Sequence, residues 1–163
     1  GGLGLDQLVA GFGKDVGAAA AHCVDDQDRL AGTDIIHCSG WMSSLIPLFL
    51  KTAYKKEPVF GHSKTVFTIG QNTFKEKLGP EFLKAAAIHA NVKEKDLEPF
   101  KEGTNAALFR GGTTYADAIS FGAEKVDKKL ADEFSKVKGK KILAYNAESD
   151  LTDYLQLYTD LAK

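Results

Sequence analysis

With 163 residues, 44% of them hydrophobic, the chain is long enough to bury one two- or three-layer core and reads as a domain of ordinary size. A formal charge of −1, from 21 basic and 22 acidic residues, supplies no field to steer nucleic acid or to hold an anionic membrane, so neither is an expected partner. Two cysteines, Cys23 and Cys38, are too few for a disulfide framework and predict a reducing, cytoplasmic setting, and no apolar run nears the roughly 20 residues of a membrane span. Nothing at the start reads as a signal peptide. The opening Gly1-Gly2, without Met, reads as a processed product or a piece of a longer protein.

Residues 1–33 differ in composition from residues 34–163. Gly1, Gly2, Gly4, Gly11, Gly13 and Gly17 crowd the first seventeen positions, where each Gly inside a helix costs about 1 kcal/mol relative to Ala. The run from Gly17 to His22 is a better helical seed, continuing through Leu30 until Gly32-Thr33 breaks it. From Asp34 the pattern alternates strand and helix. A strand over 34–38 enters a Gly-containing turn, after which Trp41, Leu45, Ile46, Phe49, Leu50, Ala53 and Tyr54 recur on one helical face. Pro47 fits the first turn of that helix if Ser43 or Ser44 caps it, and Glu57-Pro58 ends it.

A β-branched and aromatic strand over 64–69 follows, with Gly70-Gln71-Asn72 as its turn. A helix over 81–90 carries Phe82, Ala85, Ala86 and His89 on one face, and 93–101, interrupted by Pro99, reads as a loop or a kinked helix start. Then come a helix over 104–114, a strand over 117–121, a helix over 123–135 with Val126, Leu130 and Phe134 inward, and a strand over 142–145. The final helix takes Ser149 or Asp150 as cap and shows Leu151, Tyr154, Leu155, Tyr158, Leu161 and Ala162 as its stripe. Repeated strand-helix units predict an α/β, Rossmann-like fold: a mainly parallel sheet with helices on both faces and right-handed connections.

Three ordered blocks carry a resemblance. His37-Cys38-Ser39-Gly40-Trp41-Met42, continuing to Leu45 and Pro47, resembles the "His-x-His-Asp-Trp-His-x-x-Leu-x-Pro" segment of the glycogen and starch synthases. Lys64 to Phe74 is similar to their "Ser-Val-Phe-Thr-Val-His-Asn-Leu-Ala-Tyr" strand and turn, and Leu108 to Ser120 to "Leu-Lys-Ala-Gly-Leu-Tyr-Tyr-Ala-Asp-His-Ile-Thr". The resemblance covers residues 34–135 and implies the N-terminal, acceptor-side half of a glycosyltransferase made of two Rossmann-like domains (the GT-B arrangement). Such enzymes move glucose from ADP-glucose to an α-1,4-glucan.

The departures fall on the chemistry. Gly40 stands for the family's Asp, Ser39 for its second His, Met42 for its third, and Gly70 for the His expected to touch the donor glucose. Glycine has no side chain to bond a sugar hydroxyl or to stabilise charge. Nothing after Tyr145 corresponds to the family's second domain. The resemblance therefore implies a chain inactive alone, with ADP-glucose and α-glucan as weak ligands and a second domain or another subunit as partner. Its expected substrate-side residues are His37, Ser39, Gly40, Trp41, Gly70 and Gln71; no catalytic residue, cofactor or metal is assigned. The other classes considered are a non-catalytic binding protein on the same scaffold and an NAD(P)-type nucleotide-binding domain.

Each candidate has a plain counterpart. His22-Cys23 and His37-Cys38 suggest zinc, but adjacent strand residues point to opposite faces, so a buried Cys and a turn-facing His are the simpler reading. Gly11 to Gly17 has dinucleotide-loop spacing, with Asp25 or Asp26 near a ribose, yet a short Gly motif serves as well for a connector. Trp41 can stack on a sugar, but at the head of an apolar stripe it is read as core. The lysine clusters at 55–56, 93–95 and 138–141 read as solvated termini and loops, and no Ser-His-Asp set can be assembled.

Overall fold

The computed structural model describes residues 35–71, 74–147 and 151–163. In chain order they form β1 (Ile35–Ser39), a 3-10 turn (Trp41–Ser43), α1 (Ile46–Lys51), β2 (Lys64–Ile69), α2 (Glu81–Ala86), a 3-10 helix (Glu94–Phe100), α3 (Asn105–Tyr115), β3 (Ala118–Phe121), α4 (Lys128–Phe134), β4 (Lys141–Leu143) and α5 (Leu151–Ala162). The four strands make one sheet in the order β1-β2-β3-β4, and every pairing is parallel. The expected Rossmann-like α/β architecture is the one present.

Strand alternation divides the sheet into two faces. Cys38, Phe67, Ile69 and Ile119 pack against Phe109 of α3 and Leu130 and Phe134 of α4. Val66 and Ala118 point the other way, against Leu157, Tyr158 and Leu161 of α5. Unbroken sequential strand order with right-handed crossovers delivers the connecting helices to one face, leaving the other to α5. β2 lies between the layers, so all its residues after Lys64 are buried. A further cluster joins Leu45, Leu48 and Phe49 to Phe82, Leu97, Phe100 and Leu108 beyond the sheet.

Helix α3 approaches its neighbours through Gly111 and Gly112. A Cβ on Gly112 would lie 2.6 Å from the Phe67 ring and one on Gly111 2.1 Å from the Phe100 ring, so both aromatic rings sit where side chains would otherwise be. At the amino edge of the sheet Asp117 binds three groups: Lys51 Nζ donates to both its oxygens at 2.8 and 2.9 Å, the Thr65 amide donates at 2.8 Å and the Thr65 hydroxyl at 3.1 Å. Burial alone would raise the Asp117 carboxyl, but the Lys51 and Thr65 hydrogen bonds hold it below its ordinary value.

Several local expectations are corrected. The helix expected from Trp41 to Tyr54 is split into the 3-10 turn and α1. Its cap is Leu45, not Ser43 or Ser44: Ser43 Oγ is spent on Ser39 O and Gly40 O, and Ser44 Oγ is buried without a hydrogen-bond partner. Helix α2 ends at Ala86, so exposed His89 lies outside it; His89 Nδ1 accepts from the Asn91 amide. Helix α4 starts only after Asp127, whose carboxylate accepts from the Lys129 and Leu130 amides. On α5 the stripe is Tyr154, Leu157, Tyr158 and Leu161, while Leu155 is 60% exposed. Lys140 is no solvated loop residue: its ammonium donates to Thr113 O, Thr114 O and Ala116 O at 2.6 to 2.7 Å, capping the end of α3. The expected helix over 17–30, the Gly11–Gly17 loop and the Ser149/Asp150 cap lie outside the described residues. Among those described, no helix is long and apolar enough to cross a membrane.

Candidate functional site

In an open parallel sheet ligands collect at the carboxyl ends of the strands. Here three of those ends are glycine. Gly40 leaves β1, Gly70 leaves β2 and Gly122 leaves β3. They stand side by side: the Gly40 amide donates to Thr68 O at 3.2 Å and the Gly122 amide to Ile69 O at 3.0 Å. At Gly40 and Gly70 the floor of this edge is backbone open to close approach, whereas at Gly122 the Thr68 methyl fills the place of a side chain.

The two positions that resemble family polar residues differ physically. Gly40 has φ +77° and ψ 172°, a conformation that side-chain-bearing residues avoid, and Ser43 Oγ locks the turn by donating to Ser39 O at 2.9 Å and Gly40 O at 3.1 Å. Gly70 carries no such constraint, and a Cβ built there meets nothing within 4 Å. An imidazole has room at 70; an Asp at 40 requires the turn to rearrange.

Trp41 follows Gly40 directly and is partly buried. It packs edge-on to Phe74, with ring centroids 4.8 Å apart, and touches apolar residues of two core clusters. Gln71 is exposed beside Gly70. His37 and Ser39 point to the α5 face, with His37 one strand position pair below Ser39. Both His37 nitrogens are engaged: Nδ1 with Tyr158 Oη at 2.5 Å and Nε2 with Thr68 Oγ1 at 2.5 Å. Thr68 Oγ1 continues to Ser120 Oγ at 2.5 Å. His37 is exposed at the sheet edge, and the partial desolvation of its ring lowers the imidazole from its ordinary value. Cys38 faces the opposite layer, where burial pushes its thiol up to about 12 and leaves it unreactive. Thus Gly40, Gly70 and Gln71 share the carboxyl edge, His37 and Ser39 flank it on the α5 side, and Trp41 opens the 3-10 turn after Gly40, partly buried against two core clusters.

Two features were invisible to sequence reading. Tyr158, Thr68 and Ser120 are drawn together from α5, β2 and β3, separations that no local motif reports. Asn105 opens α3 at this same edge, because α3 runs directly into β3 and so starts at the far end of the sheet from Asp117. The Asn105 side chain is 2% exposed and neither its Oδ1 nor its Nδ2 has a partner; Thr104 Oγ1 caps the helix by accepting from the Ala107 amide. Among the described residues no group of three His, Cys, Asp or Glu converges to hold a metal.

The starch synthase catalytic domain family matches residues 8–144. The chain belongs to that family. It is 31% identical over 87 residues to a glycogen synthase of Pseudothermotoga lettingae, covering 53% of this chain and 18% of that protein. Against a glycogen synthase of Thermotoga maritima the identity is 32% over the same length and shares. A glycogen synthase of Koribacter versatilis is 32% identical over 104 residues, 63% of this chain and 21% of that one. The chain spans about a fifth of the length of the curated relatives it matches. No solved structure matches.

Proposed function

We propose that this starch synthase-family domain forms the acceptor-side wall of a GT-B glycosyltransferase cleft, of the kind that transfers glucose from ADP-glucose to an α-1,4-glucan in the cytoplasm. The observation that carries the reading is the carboxyl edge, where Gly40 and Gly70 adjoin at the places where the resembling motifs hold Asp and His. An edge floored by backbone admits sugar and phosphate groups closely, which supports binding. At positions 40 and 70 it offers no side chain to the charge that develops at the transferring carbon, which argues against turnover.

On this reading the 163 residues, assayed by themselves, bind ADP-glucose and glucan weakly and transfer no glucose. Enclosure by a second domain orders donor and acceptor and excludes water, and losing even one hydrogen bond made in the transition state lowers rate by about 100-fold or more. The assay is incorporation of labelled glucose from ADP-glucose into glycogen, beside an intact synthase. Turnover within about tenfold of that control, far above what two lost contacts allow, would overturn the reading. Binding is checked by titrating ADP-glucose and maltooligosaccharide into the chain while watching amide shifts at Gly40, Gly70 and Gln71. Shifts at those amides support the site, and their absence at millimolar ligand removes it.

A further inference from the structure

Asn105 has no role in a cleft drawn from Gly40, Gly70 and Gln71, yet it is 2% exposed with both Oδ1 and Nδ2 unpaired. Buried amides are nearly always bonded, and one open on its donor and acceptor sides alike costs the free fold stability. It is not spent as the helix cap, because Thr104 Oγ1 already accepts from the Ala107 amide. The helix sets its direction. Asn105, Phe109 and Gly112 are spaced i, i+4, i+7 and lie on one face of α3. That face looks onto β2: the Phe109 and Phe67 ring centroids are 6.2 Å apart, and a Cβ on Gly112 would lie 2.6 Å from the Phe67 ring. From Gly112 back to Asn105 the helix climbs about 10 Å. That is the rise of about three strand residues, which carries β2 from Phe67 to Gly70. Side chains lean toward the N-terminal end of their helix, so the Asn105 amide is aimed at the carboxyl edge at the level of Gly70. There a Cβ on Gly70 would meet nothing within 4 Å, and the 3-10 turn that follows Gly40 also packs against α3.

We propose that Asn105 is a ligand-binding residue of the carboxyl edge and that the group it binds is a vicinal pair of sugar hydroxyls, an inference that rests on reading this edge as a glycosyltransferase cleft. The amide presents Nδ2–H as donor and Oδ1 as acceptor side by side. A vicinal diol answers both, one hydroxyl accepting from Nδ2 while its neighbour donates to Oδ1. Phosphate brings acceptors only and would set an anionic oxygen against Oδ1, and an apolar group would leave both atoms unpaired. In the free chain the amide is closed off from solvent. Because it has no hydrogen bond to give up, rotation about its own side-chain torsions is enough to turn it to a ligand seated on the glycine floor. A glucosyl ring and the ribose of a nucleotide both carry such a hydroxyl pair, and separate titrations tell the two sources apart.

The test is an NMR titration of the isotope-labelled full chain with maltotriose, with ADP and with inorganic phosphate, following the Asn105 side-chain NH2 pair, which is assigned by its loss in Asn105→Ala. Maltotriose or ADP is expected to move that pair, whichever does so being the source of the diol, and phosphate is expected to leave it in place. Asn105→Ala is expected to bind the same ligand about tenfold more weakly. It is also expected to unfold at the same or a higher temperature, because an unpaired buried amide has been removed. A purely structural Asn105 gives the reverse, a lower unfolding temperature with binding unchanged, and that result would overturn the proposal. So would an NH2 pair that moves with phosphate, or one that stays in place at millimolar maltotriose and ADP, observations made on the wild type and independent of any variant's folding. If Gly40, Gly70 and Gln71 respond in those same spectra, the cleft reading survives the loss of Asn105; if they too are silent, both fall.

Discussion

Where α3 and α4 cover the sheet, Phe67 and Ile119 meet Phe109, Leu130 and Phe134 in an apolar layer with two glycines admitting aromatic rings, whereas under α5 the same strands show Val66 and Ala118 beside Thr68, Ser120 and His37. One layer is held by close packing, which depends little on solution conditions between pH 5 and 8. The other is held by fewer apolar atoms and a hydroxyl-imidazole chain. Two faces of one sheet are thereby held by different interactions.

The comparison breaks first at Phe67, which is fully buried. Phe67→Ala is expected to destabilise the whole domain by about 3–5 kcal/mol in urea unfolding. A loss under about 2 kcal/mol would mean that the α3/α4 layer is not the core. Leu157→Ala should remove about 2–3 kcal/mol, but as loss of exchange protection confined to α5. Equal loss at β2 would make the two layers a single cooperative unit.

Asp117→Asn tests the amino edge, where about 2 kcal/mol is expected from losing a charged acceptor shared by Lys51 and Thr65. Because the folded carboxyl sits below its ordinary value, its contribution is present above about pH 4 and is lost as pH falls through the folded value. The difference between wild type and Asp117→Asn should therefore shrink in acid. A difference that is constant down to pH 2 contradicts that assignment. The smallest effects sharpen the carboxyl edge. Gly40→Ala is expected to cost about 1–2 kcal/mol through its positive φ, whereas Gly70→His should stay within about 0.5 kcal/mol because its side chain enters open space. Calorimetry on the two variants decides it, and a reversed order would refute the different constraints assigned to the two glycines.

Much of this was legible beforehand where chemistry repeats over short range. The strand over 64–69 announces itself by its β-branched and aromatic run, and the helix from Asn105 by Thr104 and the stripe behind it. The short, polar-edged elements were not so readable. Helix α1 is cut short at Lys51 because Thr52 leaves helical geometry, its hydroxyl donating back to Leu48 O, although the apolar spacing continues to Tyr54. On α5, periodicity alone admits Leu155 or Leu157 as the inward residue, and only the placement of β1 and β4 selects Leu157.

The sequence by itself determined the alternation of strands and helices, the parallel sheet and the family likeness, since each rests on residue type at fixed local spacing. Only the tertiary structure decided which side chains meet. It made Lys140 a helix cap, aligned Gly40, Gly70 and Gly122 on one edge, and joined His37 to a tyrosine 121 positions away. Such pairings depend on register, strand order and the docking angle of a helix. Those are set by the summed packing of the whole domain and leave no periodic trace in the chain.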